Sequence, residues 1–191
     1  MGKLRVVESL TLDGVMQAPG RPDEDTRDGF EHGGWATPYV DDAMGRAMGE
    51  QMGGGGSILL GRRTYQDFAE VWPNQEGNPY SEALTAAQKY VVSKTLTEPL
   101  PWENSTLLED EALEAVAGIK GRGDLTVLGS GELVRALMRG GLIDEFLLLI
   151  HPLVLGSGRR LFPEGVFASL ELANSLTTGT GVVIATYRPA S

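Results

Sequence analysis

Apolar runs rich in valine, isoleucine and leucine alternate along this chain with segments whose apolar residues recur at helical spacing, and glycines mark the joins. That alternation is the pattern of an α/β protein, with buried strands covered by amphipathic helices. Leu4 to Leu10 reads as the first strand, and Ser57 to Leu60, Lys89 to Ser93, a weaker Thr106 to Leu108, and Leu125 to Leu128 read as others. Val40, Ala43, Met44, Ala47 and Met48 share one helical face, which stops at the glycines Gly53 to Gly56. Tyr65, Phe68, Ala69 and Trp72 predict a helix over Thr64 to Val71. Asp110 to Lys120 predicts another, with acids in the first turn and lysine in the last, as the helix dipole favours. A further helix opens at Gly129-Ser130-Gly131 and ends at Gly140-Gly141. Glu145 to Leu153, Leu170 to Leu176 and Val182 to Tyr187 are the closing strands, and a glycine-containing turn predicts that the last two form an antiparallel hairpin. The expectation is a mixed sheet in a single domain over residues 1–191. Asp13 to Pro38 is polar and glycine-rich, too long for an idle connection, and reads as a mobile binding loop or lid.

Composition narrows the function classes. With 41% hydrophobic and 22% charged residues, the chain of 191 residues has an ordinary globular balance. Its 26 acidic and 16 basic side chains give a net charge of -10, which repels nucleic-acid phosphates and anionic membrane surfaces, so neither is an expected partner. The absence of cysteine removes disulfides, thiolate catalysis and cysteine-ligated metals, and fits a reducing compartment. The Met1 end lacks a long apolar segment, and the longest purely apolar run, Phe146 to Ile150, is too short to span a bilayer; the expected location is the cytoplasm. His32 lies in a polar stretch and His151 at the end of an apolar strand, so no metal site is expected and His151 reads as structural.

Three strand ends carry groups suited to phosphate. Leu59 to Phe68, LLGRRTYQDF, places Gly61, Arg62, Arg63 and Thr64 where a strand hands over to a helix, and free N–H groups with two guanidinium forks make an anion site there. The same residues also read as a plain helix start with solvated arginines. Lys89 to Leu96, KYVVSKTL, carries Ser93 and Lys94, and Thr126 to Val134, TVLGSGELV, carries Gly129, Ser130 and Gly131, where absent side chains let a phosphate approach the backbone. If the strands are parallel, the three ends converge, because ligands of open α/β sheets collect at the C-terminal ends of parallel strands. Neither the Walker lysine nor the third small residue of the dinucleotide fingerprint is present, and Leu128 and Glu132 spoil a nucleophile elbow.

The ordered set SLTLDGV (Ser9 to Val15), LLGRRTYQDF, KYVVSKTL, VLGSGELV (Val127 to Val134) and HPLVLGSGRRLFPE (His151 to Glu164) resembles the dihydrofolate reductase-like family, in the branch related to the C-terminal reductase domain of bacterial riboflavin-biosynthesis deaminase-reductases. The resemblance implies a three-layer α/β fold with a central, mostly parallel mixed sheet, flanking helices and a C-terminal antiparallel hairpin. It implies an oxidoreductase that uses NADPH as hydride donor on a small-molecule substrate, and makes a homodimer plausible near the late strand and the HPLVLGSGRRLF segment. Arg62 resembles the arginine that grips the cofactor 2′-phosphate, Ser93 and Lys94 its second wall, with Arg63 nearby. Thr64, Gly129, Ser130, Gly131 and the adjoining Glu132 resemble the pyrophosphate turn, and Asp13 to Ala18 the loop over the nicotinamide. Arg62, Arg63 and Lys94 would then reverse, locally, the sign of a -10 chain.

The family's proton source is a buried carboxylic acid with a raised pKa, or water positioned by one. Asp41 falls at the edge of the apolar face and Asp42 points away, which favours Asp41; both also read as helix N-terminal charges after Thr37-Pro38. Three departures argue against folate as substrate. Asp41 lies three residues after Pro38 where the folate enzymes place the acid two after, Ile150 stands where they carry a threonine, and Ala87 stands where they keep the folate-binding arginine. A pterin- or pyrimidine-like heterocycle or a carbonyl compound fits better, with Trp35 either stacking on the ring or packed beneath the loop. The other reading is a nucleotide-binding protein of the same fold without redox turnover.

Overall fold

A computed structural model describes residues 2–52, 55–109 and 112–190. The strands are β1 (Leu4–Thr11), β2 (Ser57–Gly61), β3 (Lys89–Val92), β4 (Ser105–Leu108), β5 (Leu125–Leu128), β6 (Glu145–His151), β7 (Leu170–Thr177) and β8 (Val183–Pro189). The helices are α1 (Asp42–Met52), α2 (Arg62–Val71), α3 (Pro79–Ala86), α4 (Ala112–Lys120) and α5 (Gly131–Arg139). The hydrogen-bonded strand order is β4-β3-β2-β5-β1-β6-β8-β7, a mixed, mostly parallel sheet that ends in an antiparallel hairpin. The chain divides into two compact units, one of Met1–Arg5 with Met48–Ile143, the other of Val6–Ala47 with Asp144–Ser191.

In the first unit β2 pairs in parallel with β3 and with β5, and β3 in parallel with β4. Ile58, Leu59, Leu60, Val91, Leu125 and Val127 are buried along these strands. Such unbroken apolar runs are what a parallel sheet needs, since helical crossovers cover both its faces. Helix α3, for which the sequence gives little periodicity, starts at Asn78, whose side chain accepts from the Tyr80 and Ser81 N–H groups, with Pro79 in the first helical position. It is closed from outside its own segment: the buried Lys89 donates from Nζ to the carbonyls of Leu84, Thr85 and Ala87 at 2.9, 3.0 and 2.8 Å, and lies over the Trp102 ring. Lys89 therefore serves the C-terminal end of the helix dipole as well as opening β3. The predicted start of α4 at Asp110 and part of the Gly53–Gly56 helix stop lie outside the described residues.

In the second unit β8 pairs antiparallel with β6 and with β7, with a register shift between Leu172 and Asn174. The long stretch from Asp13 carries a core of its own, Val15, Ala18, Phe30 and Trp35, packed by Leu153 and Leu155. It is laced to the 153–161 segment: Leu12 N–H donates to Leu153 O, Met16 N–H to Arg159 O, and Leu161 N–H to Gly14 O. At Gly158, φ +114°, an added Cβ would come within 2.8 Å of Val15 and 2.7 Å of Phe30, so the loop closes on that core only through a glycine. Helix α1 begins at Asp42, after a 3-10 turn at Thr37–Tyr39. Val40 therefore lies ahead of the helix, 63% exposed, instead of on its apolar face.

Candidate functional site

The β2–α2 and β5–α5 turns of the first unit are bolted together by one hydroxyl. Ser130 Oγ accepts the Gly61 N–H at 2.9 Å and donates to Thr64 Oγ1, 3.0 Å away. Ser130 itself is left-handed at φ 65° and follows Gly129 at φ 54°. A Cβ on Gly129 would stand 3.3 Å from Thr64 Cγ2. Gly61 before α2 and Ser130 before α5 both lack a side-chain cap, so the first-turn N–H groups of two adjoining helices remain available to an anion. The corner thus unites Gly61, Thr64, Gly129 and Ser130, with Gly131 buried behind them in the first turn of α5. It can hold a small polyanion by backbone donors alone.

Charged side chains follow the strand ends, and they are less one-sided than the motifs suggest. Arg62 reaches along α2 to Gln66 Oε1 at 3.5 Å. Arg63 pairs with Glu132 of α5 at 3.7 Å, both well exposed. Ser93 is buried and its Oγ accepts from the N–H groups of Thr95 and Leu96, so its role is to shape the turn that presents the exposed Lys94. Lys94 lines an open cleft of about 310 Å³ together with Val92, Glu109, Ala112, Leu113 and Glu114. Glu109 and Glu114 escape sequence reasoning because nothing local joins them to Lys94; only the parallel pairing of β3 with β4 does.

In the second unit Asp41 caps α1. Its Oδ1 accepts the Met44 N–H at 2.9 Å and its Oδ2 the Gly179 N–H at 2.8 Å. The bond from Met44 leads several backbone donors that hold this carboxyl below the ordinary carboxylate range, so it is ionised at neutral pH. The expectation of an acid kept protonated is not met at this residue, whose observed contacts are those of a helix cap. Trp35 is 7% exposed, donates its indole N–H to Gln17 O at 2.7 Å and packs with Val15, Ala18 and Phe30, so it sits beneath the loop. Its edge-on neighbour is His151, ring centroids 5.1 Å apart, with Tyr39 on another side at 5.6 Å.

His151 is fully buried, and its Nδ1 lies 2.9 Å from Leu149 O and 3.3 Å from Leu10 O. Two carbonyl neighbours require the proton on Nδ1, which leaves Nε2 as an acceptor with no protein partner among the described residues. Burial pushes its pKa down, so the ring is neutral. Asp13 ties the loop to the next segment: it accepts from Thr11 Oγ1 at 2.6 Å and from the N–H groups of Leu155 and Gly156. The Thr11 hydroxyl leads the donors that bring its carboxyl down to about 2. Among the described residues no cluster of histidine or carboxylate side chains is arranged to hold a metal ion.

Comparison with known proteins adds ancestry to this geometry. The family model of the RibD C-terminal domain matches residues 3–184. The uncharacterized protein YyaP of Bacillus subtilis is 32% identical over 140 residues, which cover 69% of this chain and 72% of that protein. A putative riboflavin biosynthesis protein from Shewanella superposes over 99% of both chains with a TM-score of 0.69 at 22% identity. Dihydrofolate reductase from Enterococcus faecalis, solved in complex with NADP(H) and RAB-propyl, superposes over 100% of this chain and 98% of its own with a TM-score of 0.62 at 15% identity. At those identities the two structures speak for the fold, which is dihydrofolate reductase-like.

Proposed function

The chain belongs to the RibD C-terminal domain family, and from that membership we propose that it is an NADPH-dependent reductase acting on a small pterin- or pyrimidine-like heterocycle or a carbonyl compound other than folate. One observation carries the reading: Ser130 joins two helix starts, neither capped by a side chain, into a single donor-lined corner beside Arg62. A pyrophosphate would lie on the uncapped first-turn N–H groups of that corner, with the Thr64 hydroxyl beside them. Arg62 and Lys94 would hold the 2′-phosphate, with Arg63, Glu132, Ser93 and Gly131 supporting them. The bound nicotinamide would supply a hydride. The NADP(H) bound by the Enterococcus protein of the same fold supports the choice of cofactor.

Trp35 acts by fixing His151 edge-on, and Asp41 by setting the start of α1 and orienting a water that delivers the proton. Two residues speak against folate. Ala87, where a glutamate-binding arginine would stand, ends α3 and gives its carbonyl to Lys89, and Ile150 stands where the folate enzymes carry a threonine. A single-domain chain in the cytoplasm, free of nucleic-acid partners, completes the proposal. So does a homodimer through β7, seven of whose eight residues are exposed. No helix among the described residues is long and apolar enough to cross a membrane.

Nicotinamide fluorescence with purified protein tests the cofactor, and a panel of dihydropterins, pyrimidines and small carbonyls tests turnover. NADPH binding that Arg62→Ala weakens about tenfold is expected, the loss of one charge-assisted contact. Failure to bind either NADPH or NADH removes the reading. Binding without turnover on any member of the panel would favour a nucleotide-binding protein instead. Asp41→Asn keeps a capping oxygen and should retain most of the rate.

A further inference from the structure

The cations proposed for the cofactor phosphates do not stand alone. Arg63 is answered by Glu132 at 3.7 Å. Lys94 shares its cleft with Glu109 and Glu114, and no hydrogen bond or ion pair among the described residues occupies its ammonium. Two of the three cations thus stand among three carboxylates, while the contact Arg62 makes is with the neutral Gln66.

Within the cleft the order of chemistry is definite. Val92, Ala112 and Leu113 give the cleft an apolar part, and Leu113 is 38% exposed. Glu109 follows β4, the parallel neighbour of the strand that leads to Lys94, and Glu114 lies in the first turn of α4, so carboxylates from two elements share the cleft with that lysine. A ribose bearing a free 2′-hydroxyl is a donor that a carboxylate accepts; a ribose bearing a 2′-phosphate is an anion that a carboxylate repels.

Resting on the cofactor reading above, we infer that Glu109 and Glu114 set the cofactor choice of this chain: they hold down the advantage that Arg62 and Lys94 give to a 2′-phosphate and provide acceptors for the 2′-hydroxyl, so NADH is used alongside NADPH. The site is a dual-cofactor site by charge balance. Because Lys94, Glu109 and Glu114 are exposed, the effect of each carboxylate is modest and salt-sensitive.

The experiment measures dissociation constants of NADPH and NADH, and of 2′,5′-ADP and 5′-AMP as probes without nicotinamide, for the full chain, for Glu109→Gln/Glu114→Gln, and for Glu76→Gln. The last removes one exposed carboxylate outside the cleft. The wild type should bind both dinucleotides. The double variant should raise the NADPH preference about fivefold, with the same shift between the two adenosine probes, while Glu76→Gln leaves the ratio unchanged. A ratio within about twofold of wild type in the double variant overturns the inference while leaving the cofactor reading intact, as does a shift that Glu76→Gln reproduces. If neither dinucleotide binds, the cofactor reading itself falls and takes the inference with it.

Discussion

Asp41 and His151 are each locked into one protonation state by backbone partners and burial, and the two locks open at different pH. His151 is neutral because burial lowers its pKa from the ordinary 6.5, although the Leu149 and Leu10 carbonyls pull the other way. Its unfolded form takes up a proton near 6.5 while its folded form resists, so the stabilisation is full above that value and is lost as pH falls through the lower folded pKa. The carboxylates act later. Asp13, brought from 3.8 to about 2, contributes stability that is complete above 3.8 and lost on the way down to about 2. Thermal unfolding should therefore show a fall in Tm from about pH 7.5 to about pH 5 that belongs to His151. In His151→Asn, whose amide N–H can still serve Leu149 O, that fall should flatten. A slope unchanged in the variant would assign the titration elsewhere.

At the scale of elements, the strand-to-helix turns are where the sequence speaks most plainly. Ser57 to Gly61, Lys89 to Val92 and Leu125 to Leu128 are short, largely apolar runs that end at or just before glycine or serine, and the unbroken burial of β5 and of the middle of β2 is that of strands in a parallel sheet. What stayed hidden depends on distant chain: Lys89 closing α3, Glu109 and Glu114 entering the cleft of Lys94, and Gly179 donating to Asp41 across 138 residues of sequence. Spacing along a helix wheel placed Asp41 at a face edge and could not reveal the donors that fix its charge. Gly129 tests the turn itself. An alanine there meets both a left-handed φ of 54° and Thr64 at 3.3 Å, whereas at Gly141, φ 64°, an added Cβ would find open space out to 4 Å. Both Gly129→Ala and Gly141→Ala should lose about 1 kcal/mol from the left-handed backbone. Only Gly129→Ala should also weaken NADPH, by about tenfold, since it alone displaces Thr64 from Ser130. Equal weakening by both would show that general destabilisation, not the turn, governs affinity.

For the whole molecule the question is how a chain of net charge -10 would keep the multiply anionic cofactor proposed for it. Two electrostatic influences oppose one another and act over different distances. The overall charge repels the ligand at long range, while Arg62 and the helix starts of α2 and α5 attract it within a few ångströms. Glu132 offsets Arg63, and Glu109 and Glu114 stand with Lys94, so the local attraction rests more on fixed backbone dipoles than on surplus side-chain charge. Salt screens the long-range repulsion, which aids binding, and screens the exposed Arg62 contact, which hinders it. Backbone donors in contact with a phosphate are screened least. The expected outcome is a shallow salt dependence, with NADPH affinity changing by less than about threefold between about 0.05 M and about 0.5 M salt. In Glu109→Gln/Glu114→Gln the same titration should steepen, because unbalanced cations then contribute attraction that salt can remove. A steep fall in the wild type would instead mean that side-chain cations dominate, and that the carboxylates beside them have little influence on the ligand.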